Sequence, residues 1–136
     1  MEVKIAALAD YVNITNEGKL NILGVFGNIM TETVPAVHAK MVLVAQIEFD
    51  STETGEKDMR IVLVDEDGAE VLSASGKVLI ERMTEGRPSI FNQMLDLNNV
   101  TFPKFGRYEF RILIGGVLAC RVPFDVTKIT RAAAKN

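Results

Sequence analysis

From Arg107 to Ile114 the chain alternates without interruption. Tyr108, Phe110, Ile112 and Ile114 fall on one side, and Arg107, Glu109, Arg111 and Leu113 on the other. A period of two belongs to a strand with one face on a core and the other largely in water. Gly115-Gly116 follows, and a Gly-Gly pair supplies the positive φ angles of a two-residue hairpin turn. The return run alternates again, with Leu118, Cys120, Val122, Phe124 and Val126 in phase. Pro123 lacks a backbone donor, which places this second strand at a sheet edge or ends it nearby.

The approach to the hairpin adds a constraint. Gly106-Arg107-Tyr108-Glu109-Phe110 has the Gly-x-Tyr-x-apolar form of a tyrosine corner, in which a buried tyrosine hydroxyl bonds to backbone a few residues upstream. The alternative reading is an ordinary buried tyrosine after a loop glycine.

The same punctuation recurs along the chain. Residues 3–14 read as a strand with a bulge or bend near "ALAD", followed by a turn at Thr15–Lys19. "LNILGVFGNIM" is interrupted by Gly24 and Gly27, which mark a bulge or a close backbone approach. After "VPAV", Met41, Leu43, Ala45, Ile47 and Phe49 share one face of the next strand. "DMRIVLV" is apolar on both faces and should be central. "DEDG" turns the chain at Asp67-Gly68, and Leu72, Ala74, Gly76, Val78 and Ile80 lie in line on the return. Leu95 and Leu97 are in phase, and the phase breaks at Asn98-Asn99 before Val100 and Phe102. The result is about eight strands with no helix longer than a turn or two. Residues 1–127 are expected to form one all-β, antiparallel, two-sheet sandwich of immunoglobulin-like, Greek-key type. Residues 128–136 form a short tail whose "TRAAAKN" is too short for a stable helix.

Composition limits function. A chain of 136 residues with 48% apolar content can bury a real core. The net charge of −3 and the lack of a basic block argue against nucleic acid and anionic membranes as partners. The longest apolar runs are about five residues, too short for a signal-peptide core or a membrane span. One cysteine, Cys120, on an apolar strand face fits a reducing compartment, so the expectation is a cytoplasmic protein.

Chemistry is sparse. His38 is the only histidine and stands at a strand start, where a solvated or capping side chain is expected. One Cys and one His cannot make a conventional zinc site. The acidic groups at Asp50–Asp58 and Asp65–Glu70 read as solvated turns, and "DEDG" lacks the spacing of a calcium loop. "GVFGNI" is not followed by a helix, so it is no phosphate cradle. No catalytic residue, metal ligand or cofactor is assigned, and the chain is not expected to be an enzyme. The one stretch that could carry binding is the patternless "ERMTEGRPSIF", Glu81 to Phe91, with Arg82, Arg87 and Phe91 as candidate residues. The plain alternative is a crossover between the sheets.

Taken in order, "ALADY", "GKLNILGVFGNI", "DEDG" and "FPKFGRYEFRILIGG…PF" resemble a family of small, uncharacterised bacterial proteins with an immunoglobulin-like all-β domain. The resemblance runs from about Ile5 to Val126. It rests on turn glycines and core residues, so it implies an architecture and no activity.

Two functional expectations follow. The first is a structural or protein-interaction module that self-associates into a homo-oligomer or meets a protein partner. Its basis is the second-face residues Val42, Val44, Val62, Val64 and Leu113, which need a cover if they point outward. The other is a small-ligand or carbohydrate-binding sandwich using its end loops. No Trp and only two Tyr weigh against a sugar platform.

Overall fold

The computed structural model describes residues 1–84 and 86–130. Among the described residues nine strands run β1 (Glu2–Ile14), β2 (Leu20–Phe26), β3 (Asn28–Thr31), β4 (Ala36–Phe49), β5 (Gly55–Asp65), β6 (Glu70–Ile80), β7 (Ser89–Phe102), β8 (Gly106–Ile114) and β9 (Val117–Lys128), with a 3-10 turn at Ser51–Glu53. They form a four-stranded sheet, β2-β1-β4-β7, and a five-stranded sheet, β3-β9-β8-β5-β6. The inner faces pack together. Leu8, Met41, Leu43 and Leu97 from one sheet share a core with Leu63, Phe110, Ile112 and Phe124 from the other.

The ninth strand arises at Gly27. A single strand was expected from Leu20 to Met30, but the chain breaks at this glycine and passes from one sheet to the other. β2 pairs with β1, and β3 pairs with β9, in parallel. All other ladders are antiparallel, so the sandwich is antiparallel except at this one short edge. Gly24 lies against a side chain and not against the close backbone expected inside β2. It has φ +71°, and a Cβ there would lie 2.5 Å from the Asp10 carboxylate. The bulge in β1 lies between Val3 and Ile5, not near "ALAD".

The opening hairpin forms as read, with Ile114 opposite Val117 across Gly115-Gly116. One detail differs. A register shift after Ile112 brings Leu113 opposite Leu118, and Leu118 leaves the buried row that Cys120, Val122, Phe124 and Val126 keep. Pro123 faces Glu109 of β8, and β3 covers β9 only from Asp125 to Lys128, so the proline lies where the strand has an open side. β5 is flanked by β6 and β8, as its two apolar faces require.

The tyrosine corner is present. The Tyr108 hydroxyl donates to the Lys104 carbonyl at 2.7 Å and accepts from the Lys104 N–H at 3.2 Å. Its ring lies 5.0 Å from that of Phe102 and 5.8 Å from that of Phe124. Gly106 is required there. Its φ is +135°, and a Cβ would meet a Glu66 carboxylate oxygen at 2.6 Å. β7 keeps a bend at Asn99, φ +54°, where its inward phase passes from Leu97 to Val100. At the chain end, the Ile129 N–H still bonds to the Thr31 carbonyl. The rest of the tail, whose "TRAAAKN" reads as too short for a stable helix, lies outside the described residues from position 131 onward.

Candidate functional site

Three places could carry function: the Glu81–Phe91 loop, the isolated titratable residues, and the outer faces of the sheets.

The loop between β6 and β7 folds around a turn in which the Arg87 N–H bonds to the Thr84 carbonyl at 3.0 Å. A cavity of about 440 Å³ opens there, lined by Ser51, Arg82, Met83, Thr84, Gly86, Arg87 and Ser89. Two of the three candidate residues, Arg82 and Arg87, therefore line one cavity. Phe91 does not join them. It lies in β7 opposite Ile47, and its ring packs edge-on against Phe49 at 6.5 Å, because β7 starts at Ser89 and turns this side chain into the core. Neighbouring carboxylates are engaged elsewhere. Asp50 caps the 3-10 turn by accepting from the Thr52 N–H, and Glu53 accepts from the chain's N-terminal ammonium at 2.6 Å.

The isolated titratable residues, Cys120 and His38, are both withdrawn from solvent. Cys120 is buried, and desolvation of the thiolate pushes its pKa up to about 11. His38 is not the solvated or capping side chain expected. It is half-buried beside Phe26, with ring centroids 5.8 Å apart, and its Nε2 has no hydrogen-bond partner among the described residues. It turns inward because the alternation of β4 slips where it meets the Asn99 bend of β7: Val100, opposite His38, is a core residue, whereas Asn98, opposite Lys40, is exposed. Among the described residues no group of three or more His, Cys, Asp and Glu could hold a metal. The "DEDG" turn is closed by its own chain. Asp65 accepts from the Ala69 and Asp67 N–H groups at 2.9 Å each, with the Lys104 ammonium 3.4 Å away. These contacts, the Ala69 bond first, lower the Asp65 pKa below its ordinary value.

The outer faces differ from each other. On the five-stranded sheet, Val62 stands between Ser73 and Arg111, and Val64 between Glu70 and Glu109. Ion pairs lace this face: Arg60–Glu70 at 2.9 Å, Arg111–Glu109 at 2.6 Å and Arg107–Asp125 at 3.5 Å. The long side chains of such residues cover apolar surface with their stems. Val62 and Val64 are accordingly buried within the single chain.

The outer face of the four-stranded sheet is apolar. Leu23 pairs with Tyr11 and Lys40 with Asn98, the Lys40 ammonium lying 5.8 Å from the centre of the Tyr11 ring; the next rows across β2, β1, β4 and β7 read Val25–Ala9–Val42–Asp96 and then Ala7–Val44–Met94. Val42 and Val44 are themselves buried in the middle of this face. The expectation that these valines and those of β5 await a cover is therefore corrected: all four are covered within the chain. The open residues surround them. Leu23 is 59% exposed, Val25 65%, Tyr11 46% and Met94 37%, and Ile90 extends the patch along β7. The sequence signal for this patch was available in the paired odd-numbered positions of β1 and β2, but Gly24 obscured the phase of β2.

Among the described residues no helix is long and apolar enough to cross a membrane. No curated protein matches the chain. Among solved structures, it is similar to the Pseudomonas fluorescens alkylpurine DNA glycosylase AlkC, bound to DNA containing an abasic-site analogue. The identity is 10% and the TM-score 0.45, over 90% of this chain and 30% of the glycosylase chain. The chain thus spans under a third of that protein's length. A family model matches residues 4–127, nearly the whole sandwich, and the chain belongs to that family of unknown function, DUF6941.

Proposed function

We propose that this protein is a non-enzymatic interaction module that self-associates through the outer face of its four-stranded sheet. The observation that carries the reading is the contrast between the two outer faces. One is covered by ion pairs, and the other leaves Leu23, Val25, Tyr11 and Met94 open around a buried valine pair. Exposed apolar patches of this kind, rimmed by polar groups, mark interaction sites. Four strands about 4.8 Å apart and three register rows about 7 Å apart cover on the order of 400 Å². That is a large share of the roughly 800 Å² that each partner contributes to a standard interface. A second copy is a fitting occupant because its own face has the same apolar centre and carries both a cation, Lys40, and an anion, Asp96, which two copies can set against each other. The burial of the Cys120 thiol, which holds it protonated, supports the non-enzymatic part of the reading. A reducing, cytoplasmic setting in a bacterium accords with the single buried thiol.

The test is molar mass in solution for the wild type and for Leu23→Glu. The reading predicts an assembly that the variant weakens while remaining folded. A wild-type monomer at every concentration would reject it.

A second reading rests on the loop cavity. Arg82 and Arg87, with the Ser51 and Thr84 hydroxyls, would suit a small anionic ligand at the end of the sandwich. A thermal-shift screen with phosphate and small carboxylates tests it, with Arg82→Ala/Arg87→Ala as the control that should lose any shift.

A further inference from the structure

Each sheet has two edges, and three of the four are blunted. β3 is only four residues long, and the stretch of β9 that it leaves unpaired carries Pro123. β2 is short and interrupted by the positive φ of Gly24. β7 is bent at Asn99 and carries Asn92, Gln93, Asp96 and Asn98 along its length. Short, bent or polar edges are how sandwiches avoid joining edge to edge. β6 has little such protection. Its ladder with β5 shifts register only at its start, where Val71 is the extra residue. From Leu72 to Ile80 it runs regularly, with no proline and one charge, Lys77. That charge is already matched within the chain by Asp58 at 3.0 Å and Glu56 at 3.6 Å.

Gly76 is the second observation. Eight of the ten glycines have positive φ; Gly76 does not, and a Cβ built on it would meet nothing within 4 Å. The isolated chain therefore gives no reason for a residue that weakens a strand interior. Its missing side chain leaves open space on the inward side of this edge. Beside it the inward positions Ala74 and Gly76 leave a groove of about 260 Å³, floored by Met59 and Ile61 and closed on the far side by Leu95 and Gln93 of β7.

We propose that β6 pairs antiparallel with β6 of a second copy, about a two-fold axis at Gly76. The pairing sets Gly76 against its own copy, Ala74 against Val78, Leu72 against Ile80, Ser75 against Lys77 and Ser73 against Leu79. Every small inward residue except the central glycine then faces a large one, and Val78 of the second copy enters the groove over Met59 and Ile61. Leu79, 62% exposed in the single chain, gains a neighbour. No charge is set directly opposite a like charge. The contact uses the opposite sheet from the apolar face described above and does not depend on it. If both operate, each protomer has two distinct self-complementary contacts and the assembly holds more than two copies.

The experiment is oxidative cross-linking of Gly76→Cys, a substitution for which the strand has room. Paired residues at the axis lie within the 4.4–6.8 Å Cα separation that a disulfide needs. The proposal predicts rapid conversion to a disulfide-linked dimer by Gly76→Cys, and none by Ser73→Cys, whose copies lie on the order of 20 Å apart in this register. Cys120 is buried and gives the wild type as a blank. Gly76→Glu, checked for folding by circular dichroism, should lower the solution mass by setting two carboxylates together. Repeating the cross-linking in Leu23→Glu separates the two contacts, since the disulfide should persist when the face contact is lost. Equal cross-linking by Ser73→Cys, no cross-linking by Gly76→Cys, or an unchanged mass for a folded Gly76→Glu would each overturn the proposal.

Discussion

The tyrosine corner offers the sharpest test of how the fold is held. Tyr108→Phe removes one oxygen atom and keeps the ring in its aromatic cluster. That oxygen makes two hydrogen bonds, to the N–H and the carbonyl of the same residue, Lys104, four positions upstream. A hydrogen bond contributes about 1 kcal/mol net, and leaving a buried partner unsatisfied costs about 1–3 kcal/mol. The Lys104 backbone lies at the rim of the core, where water can replace part of the loss, so the expected cost is about 1.5–3 kcal/mol. At an unfolding entropy near 2.1 cal/mol/K per residue, a chain of this length should lose roughly 5–10 °C in Tm. Urea denaturation of both proteins at one fixed protomer concentration measures it, with equal m-values showing that only the folded state has changed. A difference under about 0.5 kcal/mol would mean that the hydroxyl's bonds do not hold the corner, and the reasoning would fail.

Other consequences can be checked with the same methods. Gly106→Ala forces a side chain into φ +135° and against Glu66, and should cost about 1–3 kcal/mol or more. Asp65 has a folded pKa below its ordinary value of 3.8, so the stability it supplies is full above that value and fades as pH falls through the folded pKa. Asp65→Asn should therefore flatten the acid limb of the stability curve between about pH 5 and pH 2, and an unchanged limb would contradict the assignment. The Cys120 thiol, raised to about 11 by burial, should react with a disulfide reagent at pH 8 only after unfolding. Val44→Glu, unlike Leu23→Glu, should unfold the chain, because Val44 is buried within it.

Much of the architecture was legible because strand alternation is a local property. The Met41–Phe49 row, the Gly115-Gly116 hairpin and the corner at Tyr108 each follow from residues close in sequence. What failed was set by distant partners. The split of β2 from β3 at Gly27 depends on β9 offering a parallel edge more than ninety positions away, which no local pattern encodes. The inward turn of His38 depends on Asn99 bending the neighbouring strand. The candidate site was half legible. A loop with Arg82 and Arg87 was visible as a break in pattern, whereas Phe91 was assigned to it because the start of β7 has no marker in the sequence. The second-face valines were expected to need a cover if they point outward, because alternation tells which side a residue faces and not what its neighbours' side chains cover. On β5 the cover is charged, and on β4 it is the patch itself.

The central claim is self-association, and light scattering coupled to size-exclusion chromatography tests it most directly. The chain has a mass of 15.0 kDa. Over a range of micromolar concentrations the wild type should elute at a multiple of that mass, and folded Leu23→Glu and Gly76→Glu should each elute at a lower one. A wild type that stays at 15.0 kDa at every concentration would contradict the account.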